Sequence, residues 1–123
     1  MALIDSLPIT VPAAIDLSTK RWLFGKVTAA GLDVCSVIGE RADGVIGSIL
    51  QKTGGAGDGV DLYIERVPKV VAGAAFERGT ELTTNALGQA IPAVAGNHVN
   101  ALALDAGAPG RLVAFIAKNH IKA

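Results

Sequence analysis

Serine, histidine and aspartate are the residue types in this chain that could support nucleophilic catalysis. Ser36 or Ser48, taken with His98 and Asp105, supplies the components of a hydrolytic triad. A working triad also needs a local motif, such as a nucleophile elbow, that positions the serine, and neither serine lies in one. A small serine hydrolase therefore stays open only as a weakly supported hypothesis, and the sequence predicts that the protein is not an enzyme.

Metal, thiol and acid/base chemistry have equally little support. Neither His98 nor His120 is followed within a turn by a second ligand of the kind that zinc sites use. Cys35 lies in an apolar run that predicts a strand, where a thiol usually serves as a small buried hydrophobe. Glu77 and Glu81 bracket a predicted turn and are expected to be solvated. The sequence therefore predicts no catalytic residue, no metal site and no cofactor.

The glycine-rich stretch Gly54–Gly59 resembles a phosphate-binding loop in composition only. A Walker loop needs Gly-Lys-Ser/Thr at the start of a helix, whereas Asp58-Gly59 leads into a predicted strand. The stretch is therefore interpreted as a flexible hairpin loop.

Composition favours one folded domain. The 123 residues are 50% hydrophobic and 18% charged, with 11 basic and 11 acidic residues and a net charge of zero. A balanced charge offers no field that would attract nucleic acid. The uncharged run Ser6–Ile15 is too short and too proline-rich for a membrane span. A single cysteine cannot form an internal disulfide, which agrees with folding in a reducing cytoplasm.

The stretch from Val70 to Pro92 is the part around which the chain can be organised. Glycines separate its short apolar runs, a spacing typical of short strands joined by turns. Thr80–Thr84 and Gln89–Ala93 are predicted to pair as a hairpin. Asn85–Gly88 would form the loop, because Asn and Gly accept the positive φ that hairpin turns need.

Other segments predict further strands. Trp22–Thr28 is expected to pair with Val34–Ile38, and Val45–Leu50 and Val60–Val67 to follow as strands. The run Val99–Ala106 has a composition that suits either a helix or a strand. The turn at Ala108-Pro109-Gly110 favours a strand, since it would return Arg111–Ala117 as a hairpin partner.

These patterns predict an all-β fold, a small β-barrel-like or β-tulip domain over residues 20–123, in which a short helical element is possible. An extended arm over residues 1–19 precedes it, because its prolines favour extended backbone. The arm exposes large aliphatic side chains that need a surface to cover them. They are Leu3, Ile4, Leu7, Ile9, Val11 and Ile15. The alternative is that the arm packs on its own domain as an edge strand.

The order of motifs resembles the capsid decoration, or cement, proteins of tailed bacteriophages. The resemblance extends from Lys20 to Ile116 and depends on order and spacing, since each motif alone is small and apolar. The motifs are the arm before Lys20, Ala42-Asp43-Gly44-Val45-Ile46-Gly47, the strand pair Gly59–Val70, Val71-Ala72-Gly73 with Gly79-Thr80-Glu81-Leu82 and Gly88-Gln89-Ala90, and Ala101-Leu102-Ala103-Leu104.

The resemblance implies a structural protein that binds the outer surface of a phage head as a homotrimer at threefold or quasi-threefold positions. Its partner would be the major capsid protein, contacted by the six aliphatic residues of the arm through added strand pairing. The protein would be made in the host cytoplasm and located on the virion. The alternative function is a virion-displayed β domain that binds carbohydrate or the host surface through exposed loops such as Gly54–Gly59.

Overall fold

A computed structural model describes residues 9–17, 19–49, 59–63 and 68–123. Within these ranges all regular structure is β, and no helix is present. The strands are β1 (Ile9–Pro12), β2 (Phe24–Thr28), β3 (Gly31–Val34), β4 (Gly44–Ile49), β5 (Gly59–Tyr63), β6 (Lys69–Val71), β7 (Glu81–Thr84), β8 (Ala90–Pro92), β9 (His98–Ala103) and β10 (Leu112–Ile121). The predicted all-β class is confirmed.

The strands form two five-stranded antiparallel sheets that have the same strand order. The first sheet runs β1-β5-β4-β2-β3, and the second runs β6-β10-β9-β7-β8. In each sheet, the segment after the first strand also makes one parallel bridge to the strand at the opposite edge, Ala13 to Leu32 and Ala72 to Ala90. Each sheet therefore curls until its edges meet at one point, but neither is closed into the predicted barrel. The fold is a tandem repeat of one five-stranded unit.

Backbone bonds repeat between the two units as well. Trp22 N–H donates to the Ile46 carbonyl at 2.7 Å, and Gly79 N–H donates to the Ala103 carbonyl at 2.8 Å. Trp22 and Gly79 both have positive φ, 69° and 87°. A tryptophan rarely adopts this conformation, so the first unit carries local strain at the place where the second has glycine. The Arg21 guanidinium lies 4.6 Å from the Trp22 ring.

The six buried residues of the first unit's core each have a buried counterpart in the second unit. They come from equivalent strands and from the segments that follow the first strand of each unit. The pairs are Ala13 and Ala72, Leu17 and Phe76, Leu32 and Ala90, Ile46 and Ala103, Val60 and Val113, and Leu62 and Phe115. At two of these positions the second unit has phenylalanine where the first has leucine. At two others it has alanine where the first has leucine or isoleucine, so the units fill similar apolar volumes with different side chains.

The units are joined because part of the outer side of the first sheet is buried against the second unit. Phe24, Cys35 and Val45 point away from the first unit's own core and belong to the apolar cluster of the second unit. The rings of Phe24 and Phe115 meet edge to face, with centroids 5.8 Å apart and an interplanar angle of 63°. Phe24 N–H also donates to the Gly88 carbonyl at 2.7 Å. Side-chain packing and backbone bonds thus fix one unit against the other.

Both hairpins predicted in the second half are confirmed. Strands β7 and β8 pair around the Asn85–Gly88 loop, where Asn85 Oδ1 accepts hydrogen bonds from the Leu87 and Gln89 N–H groups at 2.9 Å. Strand β9 pairs with β10, so the segment that could have been a helix is a strand over His98–Ala103.

The prediction places the second strand of the first hairpin too far along the chain. Strand β3 covers Gly31–Val34 instead of Val34–Ile38, because Ala29 and Ala30 alone make the turn and Gly31 begins the return strand with φ of 125°. Strand β4 matches the predicted Val45–Leu50 except that Leu50 lies outside the described residues. The Val60–Val67 prediction is confirmed as far as Tyr63, after which residues 64–67 also lie outside them.

We predict that Gly31 is required for the first sheet to curl. A Cβ at Gly31 would lie 2.3 Å from the Pro12 carbonyl oxygen, and its φ of 125° disfavours any other residue. We expect Gly31→Ala to lower the free energy of unfolding in urea by about 3–5 kcal/mol.

The matched control is Gly96→Ala. Gly96 also has positive φ, but no atom lies within 4 Å of the position that a Cβ would take there. The control should lose only about 1–2 kcal/mol. Equal losses in the two variants would contradict the role given to the Pro12 contact.

Candidate functional site

The residues of the possible hydrolytic triad are not connected in the described structure. His98 Nε2 lies 2.6 Å from Asn119 Oδ1, and Ser36 Oγ accepts a hydrogen bond from Lys26 Nζ at 3.3 Å. Within the described ranges, no hydrogen bond joins His98 to Ser36 or to Asp105. The structure describes the backbone of Ser48 but not its side chain. The geometry therefore adds no support to the hydrolase hypothesis.

His120 and Glu81 belong to one ionic cluster on the surface of the second sheet. Glu81 Oε1 accepts a hydrogen bond from Lys122 Nζ at 2.6 Å, and His120 Nε2 lies 2.9 Å from Glu81 Oε2. Hydrogen bonds from Lys122 and then His120 hold the pKa of Glu81 below its ordinary value. Glu77, the other predicted member of an acid/base pair, is exposed and has no side-chain bond among the described contacts. The cluster ties the end of the chain to β7.

Glu40 organises the loop that follows β3. Its Oε2 accepts hydrogen bonds from the Ser36 and Val37 N–H groups at 2.7 and 2.8 Å, and Lys26 Nζ lies 3.1 Å from Oε1. Burial alone would raise the pKa of Glu40, but the Val37 and Ser36 N–H groups and the Lys26 ammonium together hold it below its ordinary value. The carboxylate therefore fixes a loop, as a helix cap fixes a helix end.

Cys35 is a buried core residue, as the sequence predicted. It is fully buried in the apolar cluster of the second unit. Burial, with a smaller contribution from the Glu40 carboxylate, raises the pKa of the Cys35 thiol to about 12. At neutral pH the thiol is therefore protonated and a poor nucleophile.

Metal and phosphate sites are not apparent in the described residues. No group of three or more His, Cys, Asp or Glu side chains converges within those ranges. The glycine-rich loop lies outside the described residues, except that Gly59 begins β5. No helix in the described part of the chain is long and apolar enough to cross a bilayer.

The N-terminal arm is divided between the sheet and the surface. Residues 9–12 form β1 and pair with β5, which is the edge-strand arrangement weighed against capsid contact in the sequence. Val11 packs against the apolar core of the first unit, and Ile15 is 41% exposed. Leu3, Ile4 and Leu7 lie outside the described residues, and only the backbone of Ile9 is described. Capsid contact by these six residues stays a prediction.

A cleft of about 180 Å³ opens where the two units meet. Phe24, Pro68 and Phe115 form its apolar wall, and Arg41 and Lys118 are among its polar lining residues. This volume is small compared with the 300–1,000 Å³ or so of typical ligand sites. The cleft is therefore a gap in the interface between the two units and too small for a typical ligand.

Four strongly exposed aliphatic side chains lie on three segments that are joined near Asn97, and we call this group the loop pole. Its members are Val37, Ile38, Val94 and Ile121, each 59–63% exposed. Asn97 Oδ1 accepts a hydrogen bond from Val94 N–H at 2.9 Å, and the Asn97 carbonyl accepts one from Lys122 N–H at 2.8 Å. Gly39 packs closely on the Asn97 side chain. The segments that carry these side chains are therefore held together by hydrogen bonds and by the close contact of Gly39 with Asn97.

Comparison with known proteins gives a likeness in fold. No family model matches the chain, and no curated protein matches its sequence. Among solved structures, the chain is similar to the crystal structure of the head fiber gp8.5 N base in bacteriophage phi29, with a TM-score of 0.68 and 21% sequence identity. The superposition covers 95% of this chain and 98% of that one. At this identity the likeness establishes a shared fold over nearly the whole chain.

We predict that Glu40 stabilises the protein in a pH-dependent way. Because the folded state lowers the pKa of Glu40, its contribution is fully present above the ordinary carboxyl pKa. It is lost as the pH falls through the lowered folded value. Glu40→Gln should lower the free energy of unfolding in urea at neutral pH by about 1 kcal/mol, and the difference from the unsubstituted protein should shrink as the pH falls below the ordinary carboxyl pKa. The matched control, Glu77→Gln, should change little at either pH. A pH-independent loss in Glu40→Gln would argue against the assigned role.

We also predict that Cys35 is chemically silent in the folded protein. Labelling by a disulfide reagent at pH 8 should be slower in the folded protein than in urea by at least about a hundredfold, because labelling requires an opening of the core. The rate of absorbance change after mixing measures this. Rapid labelling of the folded protein would show that the thiol is accessible.

Proposed function

We propose that this protein is a structural component of a phage virion that attaches to the outside of the head. Its likeness in fold to the base of a phage head fiber over 95% of the chain carries the proposal. The sequence resemblance to capsid decoration proteins depends on motif order and not on that likeness, and it supports the same setting. Neither observation by itself assigns a function, because one fold hosts many functions.

In this proposal the protein is a cement protein. It binds the major capsid protein as a homotrimer at threefold or quasi-threefold positions and stabilises the shell. Many identical weak contacts repeated over a head resist expansion through avidity, so no single tight contact is needed. A net charge of zero suits such a role, since it gives neither attraction to DNA nor long-range repulsion from a charged shell. The protein then acts mechanically, without catalysis or a cofactor.

A second candidate is an attachment base for a longer fibre. The phi29 structure is the N base of a head fiber, and this chain corresponds to 98% of it. In that case the same head-binding surface would anchor an appended fibre instead of reinforcing the shell. The two candidates differ in what removal of the protein does to the head: loss of a cement protein weakens the shell, whereas loss of a fibre base leaves its stability unchanged.

Contact between the arm and the capsid can be tested with a deletion that leaves the first sheet intact. Deletion of residues 1–15 would remove β1, whereas deletion of residues 2–8 keeps it, together with the buried Ala13 and Leu17. If Leu3, Ile4 and Leu7 contact the capsid, deletion of residues 2–8 should reduce retention on purified expanded heads by at least about tenfold, since several large apolar side chains are lost.

Co-sedimentation of the protein with heads measures retention, and an unchanged urea midpoint verifies that the truncated chain folds. Undiminished retention would show that residues 2–8 do not contact the capsid, although the protein still attaches to the head. Failure of the full chain to bind heads of any tailed phage tested, including its own, would contradict the proposed function itself.

A further inference from the structure

The cleft between the two units has the size of a single side chain. Phe24, Pro68 and Phe115 supply its apolar wall, and the two aromatic rings meet edge to face with centroids 5.8 Å apart. Its volume is about 180 Å³. An apolar cavity of about 150 Å³ in another protein holds one benzene molecule. The cleft is therefore too small for a typical ligand but has room for one amino-acid side chain of a partner.

The charged side chains that line the cleft are mostly positive. Arg41 and Lys118 contribute two cations, and Asp43 is the acidic residue of the lining. Asp43 Oδ2 accepts a hydrogen bond from Val27 N–H at 2.8 Å, which commits this oxygen to the backbone of β2. Arg41 Nε lies 3.9 Å from Asp43 Oδ1, too far for a hydrogen bond, and the Arg41 side chain is 62% exposed. Among the described residues, neither cation has a hydrogen-bonded acidic partner.

Two amide side chains of the lining have hydrogen-bond donors to spare. Asn100 is 5% exposed, its Oδ1 accepts from Ala42 N–H at 2.9 Å, and its Nδ2 donates to the Glu40 carbonyl at 3.0 Å. Because an amide nitrogen carries two N–H groups, one donor of this buried side chain is unused within the described contacts. Asn119 Oδ1 lies 2.6 Å from His98 Nε2, and no bond from Asn119 Nδ2 is found among the described residues. The lining is therefore rich in donors and needs an acceptor.

We propose that the cleft is a socket for a glutamate side chain of the head surface. This inference rests on the head attachment of the proposed function and names one contact through which that attachment is made. The methylene groups of the glutamate pack on the apolar wall, and its carboxylate accepts hydrogen bonds from the amides and the cationic side chains. A contact of this size is weak by itself, but every copy of the protein on a head repeats it.

Other side chains of similar size match the lining less well. An aliphatic side chain would cover the Asn100 amide and leave its unused N–H without an acceptor. A glutamine side chain supplies an acceptor but no charge, so it leaves the cations of Arg41 and Lys118 unpaired. A lysine would add a third positive charge. A carboxylate satisfies both the donors and the excess positive charge.

Titration of the full chain, labelled with ¹⁵N, tests the socket without heads. The probe is N-acetyl-glutamate α-amide, which carries a free side-chain carboxylate. The side-chain amide signals of Asn100 and Asn119 should shift with a dissociation constant of about 1–10 mM, as expected for a molecule of about a dozen non-hydrogen atoms. The control probe, N-acetyl-glutamine α-amide, replaces the carboxylate with an amide and should bind at least about tenfold more weakly.

Ala117→Leu closes the socket but keeps its polar groups. Ala117 lines the cleft and is exposed, so a larger side chain can enter the cleft without displacing the core. The variant should lose the probe-induced shifts and reduce retention on purified expanded heads by at least about tenfold. The matched control is Ala86→Leu, the same change at an exposed alanine in the β7–β8 loop, which should do neither. The urea midpoint verifies folding, and Lys118→Gln, at an exposed cation of the lining, replaces Ala117→Leu if the latter fails to fold.

The outcomes separate the socket from the proposed function. Equal binding of the two probes, or shifts that survive Ala117→Leu, would overturn the inference. Loss of the shifts with full head retention in Ala117→Leu would overturn it as well, because the cleft would then take free carboxylates and not a side chain of the head. If the unsubstituted protein binds the glutamate probe but no head, the proposed function fails and the carboxylate specificity of the cleft stands.

Discussion

The structure depends on one contact, the packing of the outer side of the first sheet on the interior of the second unit. Phe24 contributes to it twice, through its edge-to-face contact with Phe115 and through its N–H bond to the Gly88 carbonyl. Without this contact, each five-stranded unit would hold only about half of the apolar surface that a 123-residue domain can bury, and small units are marginally stable on their own. Part of the outer side of the first sheet is therefore apolar as well, and it packs on the second unit.

A repeat built this way is necessarily asymmetric. Phe24 in the first unit corresponds to Glu81 in the second, and the aromatic side chain is buried whereas the carboxylate lies at a margin and is paired with Lys122. Inside the units, the phenylalanines of the second are balanced by alanines at positions where the first has leucine and isoleucine. The backbone scheme has been kept while the side chains have diverged, because backbone pairing sets the sheet and many side-chain combinations fill a core of given volume.

The titratable groups of the protein have structural roles, so function is expected at its surface. The titratable residues with perturbed environments, Glu40, Glu81 and Cys35, fix a loop, fix the chain terminus and fill a core, respectively. Each perturbation has a structural cause that is complete without a substrate. Several large aliphatic side chains are also exposed, among them those of the loop pole. Exposed aliphatic side chains and balanced charges suit assembly, which agrees with the virion role proposed for the protein.

The sequence by itself determined the all-β class, the hairpin around Asn85–Gly88, the final hairpin and the inert character of Cys35. These depend on local patterns, namely turn residues, alternation and the chemistry of single side chains. It could not give the tandem repeat, because the repeated features are strand order and backbone bonds, and the side chains at equivalent positions differ, as Trp22 and Gly79 do. It also misplaced β3, since the turn at Ala29 and Ala30 lacks the usual turn residues and its need for Gly31 arises from the Pro12 carbonyl across the sheet. Which apolar residues are covered and which remain open was decided only by tertiary structure, because burial depends on what distant segments bring to each face.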